Sequence, residues 1–152
     1  MQKIRFSKIV IGSNRIEIEK KKVNRMLSWP EPKNMKDVRK FLGLTNYYKR
    51  FIKDFAQIAR SMNILTRNNV KWQWKKKKQQ AFDELKGIFT TRLVLAALDL
   101  DKEFRIEADA LNYATGGVLS IKCSDELWRP VAFISKSLSN IERNTRSMTK
   151  KC

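Results

Sequence analysis

A change of hydrophobic period constrains this chain more than any other feature. Val38, Phe41, Leu44, Tyr48, Phe51 and Phe55 are spaced 3, 3, 4, 3 and 4 apart, one side of a helical stretch. From Glu103 onward the period drops to two, with Phe104, Ile106 and Ala108 alternating with Arg105, Glu107 and Asp109. A chain that needs helices first and a half-buried sheet afterwards is an α+β chain.

Local signals fill in this outline. Ile4–Ile11 and Arg15–Ile18 are β-rich runs around Gly12-Ser13-Asn14 and predict a hairpin. Residues 19–29 predict a helix with Val23, Met26 and Leu27 inward, stopped by Pro30 and Pro32 in a stiff Trp29-Pro30-Glu31-Pro32 corner. Asn34 followed by Asp37 resembles a capping box, and Gly43 is a point at which the next helical stretch could divide. Residues 78–89 predict a second amphipathic helix, inward at Phe82, Leu85, Ile88 and Phe89, after an extended Val70–Trp74. Strands are expected near 103–109, 115–122 and 130–136, with connections short enough for an antiparallel meander.

Charge divides the chain at the same place. The whole carries 33 Lys plus Arg against 15 Asp plus Glu, a formal +18. Residues 1–98 hold 24 basic and 7 acidic side chains, and residues 99–152 hold 9 and 8, so nearly all the excess is in the helical part. Such a balance exceeds what solubility requires and suits contact with a polyanion, the alternative being a solvated surface. Lys36, Arg39, Lys40, Lys49, Arg50, Lys53, Lys71, Lys75 and Lys76 are the candidate phosphate contacts. Trp72 and Trp74, interleaved with this charge, either stack on bases or belong to the core.

Several chemistries are excluded. The chain has no His, which removes the commonest zinc ligand, the usual general base near neutral pH and every Ser-His-Asp or Cys-His arrangement. Cys123 and Cys152 form no Cys-x-x-Cys pair and no secretory leader is evident, so a reducing, intracellular setting, cytoplasmic or nuclear, is expected. No run approaches the ~18 apolar residues of a membrane span, so no membrane partner is expected. Asp109, at the end of a predicted strand, has two readings: a metal ligand, or a residue that caps the turn. Glu107 is on the same strand face and either shares a site with it or faces water.

The motifs together resemble one family. Trp29-Pro30-Glu31-Pro32, then Phe41-Leu42-Gly43-Leu44-Thr45-Asn46-Tyr47-Tyr48-Lys49-Arg50-Phe51-Ile52, resemble the reverse transcriptase of gypsy-class LTR retrotransposons. The resemblance runs on through Lys71–Trp74, Ala81–Lys86, Val94-Leu95, Phe104–Ala110, Tyr113–Leu119, Pro130–Ser135 and Glu142-Arg143-Asn144. It implies a last palm hairpin at residues 1–18, a basic, mainly helical thumb and connection at 19–98, and the first half of an RNase H domain at 99–152, an incomplete antiparallel meander. The polymerase Tyr-x-Asp-Asp turn would precede Met1. Asp109 resembles the first metal-binding Asp of an RNase H site, in which two Mg²⁺ ions direct water at the RNA phosphate.

Departures from the pattern bear on activity. Lys151 stands where the family has its catalytic Glu, and the family's remaining Asp ligands would follow Cys152. A lysine cannot ligate Mg²⁺ and brings positive charge where cations should sit, so no stably bound Mg²⁺ is expected. Leu111, Ser61, Leu93 and Thr145 replace the family's usual Ser, Pro, Pro and aromatic residue, and Lys75–Lys78 replace a more acidic stretch. The expectation is a segment of a retrotransposon polyprotein that holds an RNA/DNA hybrid or other nucleic acid through its phosphates, without catalysis of its own. The alternatives are an inert remnant of a decayed element, or a piece that complements a separate chain carrying the rest of the polyprotein. A bare meander is also expected to leave a strand edge and an apolar face exposed.

Overall fold

In the computed structural model, residues 4–6, 9–12, 14–91, 93–110 and 113–143 are described. Ser13, Leu111, Asn144, Thr145, Lys151 and Cys152, all of which figured in the sequence reading, lie outside them. The elements run β1 (Ile4–Phe6), β2 (Ile9–Ile11), β3 (Arg15–Ile18), α1 (Lys20–Leu27), α2 (Met35–Tyr47), a 3₁₀ turn (Lys49–Phe51), α3 (Phe55–Ile58), α4 (Arg60–Leu65), α5 (Lys76–Ile88), β4 (Val94–Ala96), β5 (Phe104–Ala110), β6 (Ala114–Lys122) and β7 (Trp128–Ser137). The fold is α+β, helices between two antiparallel sheets.

The expected first hairpin is refined: the run Ile4–Ile11 is two strands, so β1, β2 and β3 form a three-strand meander. A fourth strand then joins it. β4 returns after α1–α5 and pairs with β3, Leu95 opposite Ile16. Val94–Ala96 is too short to show a period, and only its partner defines it as a strand.

α2 begins where Asn34 caps it, its Oδ1 accepting from the Asp37 N–H at 2.9 Å, while Asp37 Oδ2 accepts from the Lys33 N–H at 3.1 Å. Gly43 does not divide the helix; α2 runs through it to Tyr47. One glycine costs about 1 kcal/mol in a helix interior, less than the packing of the face beside it stabilises. The apolar stripe outlives the helix: Val38, Phe41, Tyr48, Phe51 and Phe55 are all buried, Tyr48 at the end of α2, Phe51 on the 3₁₀ turn and Phe55 on α3. With Met26, Met62, Leu65, Phe82, Leu85, Phe89 and Leu95 they form a single core.

Aromatic rings order that core. Phe41 lies 4.7 Å from Phe82 and 6.2 Å from Trp29, so α2, α5 and the proline corner share one contact. The Lys86 ammonium, over the Phe82 ring, also donates to the Trp29 carbonyl at 2.9 Å and ties α5 to that corner.

β5, β6 and β7 make the expected meander, Asp109 opposite Gly116 and Gly116 opposite Ser135, with a bulge between Leu119 and Ser120. Its inner face docks on the helices: Phe133 reaches the large core, and Ser135 Oγ accepts from the Ala56 N–H at 3.0 Å. Ala96, Ile121 and Val131 form a second small cluster where β4 meets the meander. At the turn before β6, the Arg60 guanidinium of α4 lies 3.8 Å over the Tyr113 ring. The outer side is bare: β5 is exposed along its whole length, and Phe104, Ile106 and Ile134 are 56%, 67% and 59% exposed.

Candidate nucleic-acid interface

Two places collect the chemistry read from the sequence, a carboxylate-lined cavity under β5 and a set of cations on the helices. The cavity, about 340 Å³, is lined by Lys53 and Asp54 from the helical side and by Glu107, Asp109 and Gly116 from the sheet. Alternation along β5 puts Glu107 and Asp109 on one face, where both line the cavity and both remain exposed. Gly116 opens the way between the two sides. A Cβ there would stand 2.8 Å from Asp54 Oδ1, so the bare backbone is what admits the Asp54 carboxylate beside the strand.

Asp54 was not singled out from the sequence. Its signal is an acidic residue within the basic run that also carries Lys49, Arg50 and Lys53. Its backbone is left-handed, φ 55°, at the entry to α3, a conformation Asp adopts more readily than most residues. Asp109 itself uses Oδ1 to accept from the N–H of the next residue, Ala110, at 2.7 Å. Glu107 is ion-paired with Arg105 at 3.4 Å.

As a magnesium site this arrangement does not fit. Among the described residues no three of His, Cys, Asp or Glu come together closely enough to hold one metal ion. Lys53 also stands at the cavity, a cation where a second cation would have to sit. No hydrolytic step follows from these side chains.

The candidate cations are spread over three neighbourhoods. Lys36, Arg39 and Lys40 occupy the exposed side of α2, opposite Val38 and Phe41. Lys40 lines a cavity of about 600 Å³ with Arg25, Lys33, Asp37 and Trp29. Lys49, Arg50 and Lys53 follow on and after the 3₁₀ turn, and Lys71, Lys75 and Lys76 lie on the extended segment and the start of α5. Two of the nine have structural work: Arg39 donates to the Thr66 carbonyl at 3.0 Å at the end of α4, and Arg50 is half-buried with its guanidinium 5.9 Å from the Phe51 ring. The other seven are exposed.

Ion pairs join neighbouring charges in and around the second sheet, from Lys102–Asp99 to Lys136–Glu142. None of them engages Lys36, Lys40, Lys49, Lys53, Lys71, Lys75 or Lys76. The two tryptophans divide as well. Trp74 is half-buried against Phe82, its Nε1 donating to Gln79 Oε1 at 2.6 Å, whereas Trp72 is exposed and stacks on Trp74.

Comparison with known proteins agrees with this architecture. Residues 74–152 match the family model described as RNase H-like domain found in reverse transcriptase. The Transposon Tf2-3 polyprotein of Schizosaccharomyces pombe is 34% identical over 122 residues, which are 80% of this chain and 9% of the polyprotein; the Tf2-4 polyprotein matches equally. Among solved structures, the foamy viral protease-reverse transcriptase in complex with RNA/DNA hybrid superposes with TM-score 0.75 at 16% identity, over 98% of this chain and 21% of that one. The same enzyme in complex with dsDNA gives 0.75 over 99% of this chain and 33% of that one. Among the described residues no helix is long and apolar enough to cross a membrane.

Proposed function

Because this chain belongs to the family of RNase H-like domains found in reverse transcriptase, and its relatives are retrotransposon polyproteins, we propose that its helical part holds an RNA/DNA hybrid or another nucleic-acid duplex by the phosphates. The observation that carries the proposal is that, among the described residues, no ion pair engages Lys36, Lys40, Lys49, Lys53, Lys71, Lys75 or Lys76, while the sheet pairs its own charges. Unpaired exposed ammonium groups are free to displace the counterions of a phosphate backbone, which makes binding strong at low salt and steeply salt-dependent. They carry no base information, so this contact positions a duplex without reading it. Thumb and connection are the parts of a reverse transcriptase that residues 19–98 resemble, and the foamy viral neighbour was solved on such a hybrid.

The 152 residues by themselves do not cleave RNA and bind no Mg²⁺ stably. Lys151 at the family's Glu position and Lys53 beside Asp109 both oppose a pair of divalent cations. One titration series tests both statements: hybrid affinity from 50 to 200 mM salt, with Mg²⁺ present and the RNA strand labelled. A negative slope that flattens by about 2 in Lys36→Ala/Lys40→Ala supports the phosphate grip, at roughly one unit per phosphate contact. No binding at the lowest salt would make the chain an inert remnant. Cleavage abolished by Asp109→Asn would overturn the claim of inactivity.

A second reading concerns the outer side of the meander. Phe104, Ile106 and Ile134 lie there beside the open β5 edge, and the chain spans only 9% of the Tf2-3 polyprotein. Further polypeptide of the same polyprotein is the occupant that this edge and face suit. Amide protection along β5, higher in a longer polyprotein segment than in the 152 residues, is the expected result.

A further inference from the structure

Trp72 and Trp74 alternate along the extended segment that precedes α5, which puts both rings on one side of the chain. The rings lie 5.7 Å apart and within 12° of parallel, an offset stack. Trp74 is fixed from behind: its ring meets Phe82 edge-on at 6.1 Å, its indole N–H is held by Gln79, and Gln79 in turn donates to both oxygens of Asp83. Trp72 has none of these anchors. It rests on Trp74 by one face and remains 37% exposed, so a large flat ring is presented to solvent on a rigid support. Cations surround it in sequence: Lys71 on one side, Lys75, Lys76 and Lys77 on the other, all exposed and none in an ion pair among the described residues.

We infer that Trp72 is a stacking platform for an unpaired nucleobase, with Lys71, Lys75 and Lys76 taking the phosphates on either side of it. A base π-face continues the Trp74–Trp72 stack, a contact open to every base and closed to a base inside a duplex. The flexible lysine stems bring ammonium groups to the backbone of the stacked nucleotide whichever way the strand runs. This site goes beyond the duplex grip: it takes single-stranded nucleic acid, RNA or DNA, by stacking plus charge.

Four 12-mers separate the terms: oligo(U), oligo(dT), an abasic oligomer of equal charge, and a blunt RNA/DNA hybrid, each titrated against wild type, Trp72→Ala and Trp72→Phe at one salt concentration. In Trp72→Ala, affinity for oligo(U) and oligo(dT) should fall about tenfold, while the abasic oligomer and the hybrid are unaffected. Trp72→Phe should keep most of the affinity, which shows that a flat ring is what the site needs and that the fold is intact. Equal affinity of oligo(U) and oligo(dT) assigns the contact to the base ring; a preference for one assigns part of it to the 2′-hydroxyl or the thymine methyl and leaves the platform standing. A loss on the abasic oligomer as large as on oligo(dT), or no loss on any, overturns the platform. The hybrid arm reports on the duplex grip separately, so either proposal can fail without the other.

Discussion

At the scale of single residues, Tyr48 is the most consequential misfit. It caps α2 at its C-terminal end, is fully buried beside Phe89 and Tyr47, and its hydroxyl finds no hydrogen-bond partner among the described residues. Burial pushes its pKa up to about 12; the neighbouring Tyr47 and Glu19 push the same way and Arg25 opposes them. A folded-state pKa above the unfolded one means that the folded chain keeps a proton the unfolded chain releases. Stability is therefore undiminished below about pH 10 and declines as pH rises from there through 12. Tyr48→Phe removes an unpaired buried hydroxyl and should raise stability by about 1 kcal/mol at neutral pH. Denaturant melts at pH 8 and pH 11 check both points: the wild type loses more between them than the variant does.

At the scale of elements, β5 is the exposed one. It is an edge strand of seven residues in which every residue is exposed, and apolar side chains lie at Phe104 and Ile106. Long, flat, apolar edges template pairing with another chain, and inward or edge charges suppress it. Ile106→Lys should reduce concentration-dependent association, seen by light scattering, and shift the thermal midpoint little because the replaced side chain is 67% exposed. The period-two alternation revealed this strand and its antiparallel partners. A helical turn after β7 was not read from the sequence although its signal is local, a capping box of Ser139 and Glu142: Glu142 accepts from the Ser139 N–H at 2.8 Å, and Ser139 Oγ accepts from the Glu142 N–H at 3.3 Å. β4 was not legible. Three residues carry no period, and its assignment depends on β3, almost eighty positions earlier.

At the scale of the molecule, the two periods do not make two independent bodies. Phe133 packs against the large core, Ser135 bonds to the start of α3, and β4 touches the small cluster under β7. The meander alone would be marginal, being three strands with one face bare. Docked in this way it should melt together with the helices in a single transition. Phe133→Ala should cost about 2–4 kcal/mol and split that transition, with amide protection lost first along β6 and β7. A single transition retained in this variant would show that the sheet needs no such anchor.

Much of this protein was determined by sequence alone, because it depends on near neighbours. Helix faces follow from 3.6-residue periodicity, strand faces from alternation, caps from side chains that reach three residues, and family membership from motifs that are contiguous in the chain. The excess of positive charge was legible as a sum. What only the tertiary structure decided depends on groups that are distant in sequence. Arg39 and Arg50 look the same as Lys36 and Lys40 in sequence, yet one is tied to Thr66 and the other is half-buried. Trp72 and Trp74 are two positions apart and equivalent by pattern, and Phe82 and Gln79 make one of them core and leave the other exposed. Asp54 joins Asp109 because Gly116, on another strand, has no side chain in the way. Local spacing sets which way a side chain points, and packing sets what it meets there.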